Sequence, residues 1–377
     1  MLGFLLLPIA PFLIAAVVLT LGLWAWRARV RRAGSMRIVL QTLGMFTVVL
    51  AMLLLLGATI TVYEQAKTRR AYPAPGKMVD FRGSSLHVWC EGPASAPTVL
   101  LIGGGHSQAL WMRPMLVGLS DRWRACAVDR AGLGWSGGGR VPVTLDDEID
   151  QMHGALAAAG EHFAVAAIGH SGGGEFAMNY AGAYPDEVKA LVLLDPSSPA
   201  YSLVDWRGSG LKVRLDDCRL VFSTMFGLAY IDALNPLHQP DMAWLHDVFG
   251  KYWQAGVTWE ARPASIIEGI SAHKPPGSEP FSIVRTPGAL DAQSILLITQ
   301  VPDPPRPWPG LSKREAKNFV NLLNYARIEP LYLSPHHSQL VYAPPNSTHY
   351  FLYTQAAFTL EHVTQFLQRE VPPPAQK

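Results

Sequence analysis

Residues 163–183, FAVAAIGHSGGGEFAMNYAGA, narrow the possible folds more than any other stretch of the chain. Phe163 to Ile168 is a short apolar run that reads as a buried strand, and Glu175 to Ala183 reads as a helix ending at Tyr184-Pro185. Between them, Gly169-His170-Ser171-Gly172-Gly173 fits Gly-x-Ser-x-Gly, in which a serine stands at the tip of a sharp strand-to-helix turn. Such a turn needs small residues around the serine, because the tight backbone brings neighbouring positions too close for side chains. Ser171 is therefore the first candidate nucleophile. The competing reading is a plain glycine turn, and the strand and helix standing in the required order argue against it.

The chain has 377 residues, 49% of them hydrophobic, enough for one large domain and a further segment. That segment is N-terminal. Phe4 to Trp26 and Ile38 to Tyr63 are uncharged apolar runs, each long enough as a helix to cross a hydrocarbon layer that needs about 20 residues. Arg27, Arg29, Arg31, Arg32 and Arg37 lie between them. A basic loop tends to remain cytoplasmic, so residues 1–63 are expected to form a two-helix transmembrane anchor with both outer ends across the membrane. The rest of the chain is then extracytoplasmic, although Lys67, Arg69 and Arg70 weaken the charge asymmetry. A cleaved signal peptide fits less well, since Met1-Leu2-Gly3 has no basic n-region. Residues 64–78, with Pro73 and Pro75, read as a linker. A formal net charge of +2 and the lack of a basic stripe with interleaved aromatics argue against a nucleic-acid partner.

From Val79 onward, strands and helices alternate, which predicts a sheet with helices on both faces. Val79 to Phe81 and Leu86 to Cys90 read as two strands joined at Gly83-Ser84, and Thr98 to Ile102 as a third, buried on both faces. Gly103-Gly104-Gly105-His106 follows it. Glycines there let backbone N–H groups face a ligand, so Gly105 N–H and Gly172 N–H are the candidate oxyanion-hole donors. A simple strand-to-helix turn is the alternative. The fourth strand, Ala125 to Asp129, runs into DRAGLGWSGG, which also satisfies G-x-G-x-x-G. No helix opens there, because Gly138, Gly139 and Pro142 follow, so a dinucleotide site is not expected.

The order GGGH, DRAGLGWS, GHSGG, YPDEVKALVLLDP resembles the α/β-hydrolase superfamily, in particular its serine-nucleophile esterase-like members, over roughly residues 79–370. The resemblance implies an α/β-hydrolase fold for residues 79–377, with a mostly parallel eight-stranded sheet, flanking helices and a helical lid inserted at about residues 197–290. Gly103 stands where the superfamily usually has a histidine that braces the loop. In the superfamily the second and fourth strands are antiparallel neighbours, which implies a possible disulfide between Cys90 and Cys126; two buried thiols remain the alternative. Cys218 would be left over. The lid region is rich in large apolar residues, among them Trp206, Phe222, Phe226, Trp244, Phe249 and Trp259. They suggest an apolar acyl or alkyl pocket, although any one of them is better read as packing that holds the lid together.

The superfamily orders its triad as Ser, acid, His. Asp303, after the apolar run Ser294 to Thr299, is the favoured acid, and Asp195, closing the run Val188 to Asp195, is the alternative. Asp303 sits in the proline-rich PDPPRPWPG, where an aspartate can merely start a turn. His349, on a loop between a last strand, Gln339 to Tyr342, and a terminal helix, Ala356 to Arg369, is the expected base. The activity implied is hydrolysis of a carboxylic ester through an acyl-enzyme, and the anchor suggests a lipid-derived one. Acyl transfer or thioester, amide or C–C cleavage would use the same residues, and a silent binding protein could keep the fold. No pattern calls for a metal or a cofactor.

Overall fold

The computed structural model describes residues 9–28, 35–105, 107–138, 144–198, 219, 221–230, 244–260, 286–307 and 311–372. Two helices come first: α1 (Ala10–Ala28) and α2 (Ser35–Ala71). Then follow β1 (Lys77–Phe81), β2 (Ser84–Glu91), β3 (Thr98–Ile102), α3 (Arg113–Leu119), β4 (Arg124–Asp129), α4 (Leu145–Ala158), β5 (Ala164–His170), α5 (Gly172–Ala183) and β6 (Ala190–Leu194). After an insertion carrying α6 (Leu245–Phe249) and α7 (Trp253–Glu260) come β7 (Ser294–Thr299), α8 (Lys313–Ile328), β8 (Ser338–Tyr342), α9 (Phe351–Thr354) and α10 (Ala356–Glu370).

The eight strands form one sheet in the order β1-β2-β4-β3-β5-β6-β7-β8. β1 and β2 pair antiparallel, as do β2 and β4; every other pair is parallel. The central strands TVLLI and ALVLL are buried at every position, as expected for a parallel sheet covered on both faces. Alternate residues feed two cores. Val99, Leu101, Ala166, Ile168, Val192 and Ile298 point to one, with α3, α10 and the insertion over them. Leu100, Ile102, Ala167, Leu191, Leu193 and Leu297 point to the other, covered by α4 and α5. Cys90 lies directly opposite Cys126 in the β2–β4 register, and the two are joined as a disulfide. Cys218 and most of the expected lid lie outside the described residues.

The N-terminal helices differ from the sequence expectation in two ways. Among the described residues one helix, Gln41–Ala71, is long and apolar enough to cross a membrane, and the apolar stretch Ala10–Trp24 is shorter than a span. Among the described residues, which exclude 4–8 of the first expected span, the pair thus becomes one candidate span with an apolar helix packed beside it. Further, α2 does not stop at Tyr63 to release a linker. Residues 64–71, EQAKTRRA, are mostly strong helix formers, and the helix continues to Ala71, just before Pro73. Its buried side recurs with a heptad-like spacing at Ala51, Leu54, Ala58, Thr61 and Thr68. Thr68 Oγ1 meets Thr258 Oγ1 of α7 at 3.1 Å, and Arg69 donates to the Trp135 carbonyl while its guanidinium lies 5.0 Å from the Trp259 ring centroid. Of the residues 64–78 read as a linker, 64–71 continue the helix and bond to the domain.

Candidate active site

Ser171 stands between β5 and α5 with φ 55° and ψ −126°, outside the usual range for a residue with a Cβ. Its neighbours make this possible. A Cβ on Gly169 would collide with the Gly173 carbonyl, and one on Gly173 with the Ile102 carbonyl. The strained serine is held by its own backbone: its N–H donates to Leu194 O at 3.0 Å, and its carbonyl accepts from Gly174 N and Ser197 N at 2.9 and 2.8 Å. The bonds with Leu194 and Ser197 tie the elbow to both sides of Asp195 at the end of β6.

His349 lies on the loop between β8 and α9. Its Nδ1 donates to Asp195 Oδ2 at 2.7 Å. Asp195 also accepts from Thr299 Oγ1 at 2.6 Å and Gln300 Nε2 at 2.7 Å, and its own backbone has a positive φ of 43°. Burial opposes its ionisation, but the bonds from His349, Thr299 and Gln300 outweigh burial and hold the carboxyl at about 2. The Nδ1–H donation leaves Nε2 of neutral His349 with its lone pair. His170, the x of the elbow motif, donates Nε2–H to the His349 carbonyl at 3.0 Å and places its ring 4.8 Å from the His349 ring. Burial and the neighbouring His349 lower His170 to about 4, so it stays neutral beneath the site.

Asp303, the acid favoured on sequence grounds, is not brought to His349. Its carboxylate pairs with Arg327 of α8 at 2.9 Å, and its backbone N–H and C=O exchange hydrogen bonds with the Asn324 side chain, each at 2.9 Å. It pins the proline-rich loop to α8. The alternative, Asp195, is the carboxylate that meets His349. Of the other histidines, His362 bonds within its own helix to the Phe358 carbonyl, and His106 lies outside the described residues.

The two candidate oxyanion donors come together. A Cβ on Gly172 would lie 2.8 Å from Gly105 N, so the peptide groups of the β3 loop and the α5 N-terminus are adjacent. Gly172 opens α5, where a helix leaves N–H groups without intrahelical partners. Gly104 was not singled out by the sequence reading, yet it faces the serine. A Cβ there would stand 2.8 Å from Ser171 Cβ and 3.3 Å from Ser171 Oγ. The run of three glycines was the available signal.

Arg130 and His87 were also missed. Arg130, fully buried, donates to the Gly105 carbonyl and reaches the Gly103 carbonyl at 3.5 Å, while its Nε donates to Glu148 at 2.9 Å and its guanidinium lies 4.3 Å from the Phe176 centroid. These bonds brace the glycine loop whose usual histidine is replaced by Gly103. Asp129 accepts from Ala109 N at 2.6 Å, from Trp135 N at 3.0 Å and from His87 Nδ1 at 2.7 Å. Its burial resists ionisation, but these donors outweigh it and keep the carboxyl below its ordinary value. Asp129 thus ties the turn DRAGLGW to β2 and to the segment that follows the glycine loop. From the insertion, Phe249 and Trp244 pack edge-on against Trp111, and Trp259 against Trp135, with Phe249 and Trp259 wholly buried. These rings are packing.

Known proteins resemble this chain. A family model described as alpha/beta hydrolase fold matches residues 97–222. The uncharacterized protein YbdG of Bacillus subtilis is 28% identical over 176 residues, 45% of this chain and 54% of that protein. Lipase LipV of Mycobacterium tuberculosis is 37% identical over 116 residues, 30% of this chain and 42% of that protein. The chain thus spans about half the length of these relatives. A solved probable hydrolytic enzyme from Pseudomonas aeruginosa superposes with a TM-score of 0.55 at 22% identity, over 78% of this chain and 94% of that one. The sheet order, the serine turn and these matches agree: the chain has the alpha/beta hydrolase fold, with hydrolases among its relatives.

Proposed function

We propose that the protein is a membrane-anchored serine hydrolase that cleaves carboxylic esters through an acyl-enzyme. The observation that carries this reading is the 2.7 Å bond from His349 Nδ1 to Asp195, combined with Ser171 on the adjoining strained turn. In this mechanism Nε2 of His349 takes the Ser171 proton as Oγ attacks the ester carbonyl. The new C–O bond pushes the carbonyl electrons onto oxygen, where Gly105 N–H and Gly172 N–H stabilise the charge; one such donor is typically worth about 3–4 kcal/mol. Collapse expels the alcohol, protonated by His349, and water then cleaves the acyl-enzyme by the same steps. Asp195, held ionised by its neighbours, steadies the imidazolium. A serine at the elbow does not fit chemistry that needs a carboxylate nucleophile there.

The anchor is α2, with α1 against it. The arginines between the two helices and the Cys90–Cys126 disulfide both support a domain outside the cytoplasm, where such bonds persist. The test is labelling of the full chain by a fluorophosphonate, with nitrophenyl esters of short and long acyl chains as substrates. Labelling and turnover are expected to vanish together in Ser171→Ala. A folded wild-type protein that neither labels nor turns over any ester would sink the reading in favour of a silent binding protein.

A further inference from the structure

The insertion sends one described segment, residues 221–230, away from the sheet and onto the anchor. Phe226 is only 5% exposed and packs in a cluster with Leu54 and Ala58 of α2 and Ala15 of α1, with Met225, Phe12 and Val18 at its edge. The approach is close. A Cβ on Gly57 would collide with the Phe226 carbonyl, so the backbone of the segment lies directly against the helix. Thr61 Oγ1 reaches the carbonyls of Thr224 and Met225 at 3.1 and 3.3 Å, giving a hydrogen-bonding partner to peptide oxygens that close a short helical turn.

The level of this contact is decisive. Glu64 is the first charged residue after the apolar run of α2. At 1.5 Å of rise per residue, Thr61 lies about 5 Å and Gly57 about 10 Å on the apolar side of it. Residues 221–230, VFSTMFGLAY, carry no charge. On either side of the buried Phe226, Phe222 and Leu228 are 46% and 39% exposed, and Leu53, Leu56 and Ile60, in the stretch of α2 on which Phe226 sits, are exposed too. Peptide carbonyls satisfied from within, apolar side chains turned outward and no charge are what a hydrocarbon surrounding demands.

We propose that residues 221–230 form a membrane-embedded part of the lid, seated on α2, with Phe222 and Leu228 in contact with lipid acyl chains. The hydrolase then draws its substrate, an ester dissolved in the bilayer, from the hydrocarbon. This rests on the readings of α2 as a membrane span and of Ser171 as the nucleophile.

The test uses the full chain in phosphatidylcholine vesicles with and without bromine on the acyl chains. A fluorescent thiol label is placed at Phe222→Cys or Leu228→Cys in a Cys218→Ser background. Leu53→Cys marks the span and Val117→Cys, on α3, marks the aqueous surface. Labels at 222 and 228 are expected to be quenched as strongly as at 53, and the label at 117 to stay bright. Quenching at 53 with bright labels at 222 and 228 would overturn the embedded lid while leaving the anchor. A bright label at 53 would overturn the anchor, and the embedded lid with it. Cross-linking of two copies through position 222 without quenching would make the face a dimer contact and also overturn it. Gly57→Leu, which crowds the Phe226 carbonyl, should abolish quenching at 222 and leave that at 53 unchanged. Fluorophosphonate labelling of each variant reports on Ser171 separately. On wild-type vesicles, Phe222→Asp with Leu228→Asp should lose turnover of a long-chain ester and keep that of a short-chain soluble one; equal effects on both would refute the hydrocarbon route.

Discussion

Replacing Asp195 with asparagine removes the charge from the acceptor of His349 Nδ1–H while keeping the side chain's shape. The amide can turn its NH2 toward Nδ1 and favour the other tautomer, in which Nε2 carries the proton and cannot take one from Ser171. In a serine triad this exchange costs about 10⁴ in kcat, equivalent to about 5.5 kcal/mol of barrier at about 1.4 kcal/mol per decade. Stability should fall as well. Asp195 is held at about 2 against an ordinary 3.8, a difference worth about 2 kcal/mol. Because the folded carboxyl is depressed, that stability is present above 3.8 and is lost as the pH falls through about 2, so the variant should lose it at neutral pH. Asp303→Asn is the counterpart. It weakens a partly exposed ion pair with Arg327, costing up to about 1 kcal/mol, and should leave kcat within about threefold. The assay is turnover of a short-chain nitrophenyl ester at pH 8, with thermal melts of both variants. Asp303→Asn losing as much kcat as Asp195→Asn, or Asp195→Asn keeping wild-type kcat, would refute the assignment.

Other outcomes follow from the geometry. Gly104→Ala places a methyl 2.8 Å from Ser171 Cβ and 3.0 Å from the His170 carbonyl oxygen, so it should cut kcat by about 10² or more and lower the melting temperature as well, since neither group gives way cheaply; unaltered kcat would show that Gly104 does not face the reacting oxygen. Cys90→Ala with Cys126→Ala opens a loop of sequence separation 36, and chain entropy puts the loss near 4 kcal/mol. Urea melts should show this loss, and a reductant should destabilise the wild type but not the double variant. Glu175, at the start of α5, is raised to about 7 by burial, which the nearby Arg130 partly opposes. A raised carboxyl contributes stability below its ordinary 4.5 that is lost as the pH rises through about 7, so Glu175→Gln should gain on the wild type across that range, to about 3 kcal/mol at pH 8. A pH-independent difference would reject the assignment.

The strands were legible because burial on both faces writes uninterrupted apolar runs, TVLLI, ALVLL and SILLIT, and the serine turn was legible because its crowding demands glycines at fixed spacing. What decides the acid is of another kind. Asp195 and Asp303 each follow an apolar strand, and nothing local separates them. The choice depends on which carboxylate the loop after β8 descends upon, a contact spanning 154 residues of chain. Asp303 was claimed instead by Arg327 and Asn324, which belong to a helix whose packing no short pattern reveals.

The same distinction explains α2. Hydropathy sees the span end at Tyr63, because transfer free energy changes sign there, but helix formation depends on propensity and docking, and EQAKTRRA satisfies both. A flexible spacer would let the domain float above the bilayer at any height. A continuous helix whose Thr61 and Thr68 are bonded to the insertion fixes that height. If α2 spans the membrane as proposed, membrane level and access to Ser171 become a single structural variable, set by one face of one helix. Lengthening α2 by two alanines between Tyr63 and Glu64 would rotate that face by about 200° and raise it by about 3 Å. If the docked helix governs access, such an insertion should abolish turnover of bilayer-dissolved esters while a short soluble ester is still cleaved. If the helix is only a tether, both activities should survive.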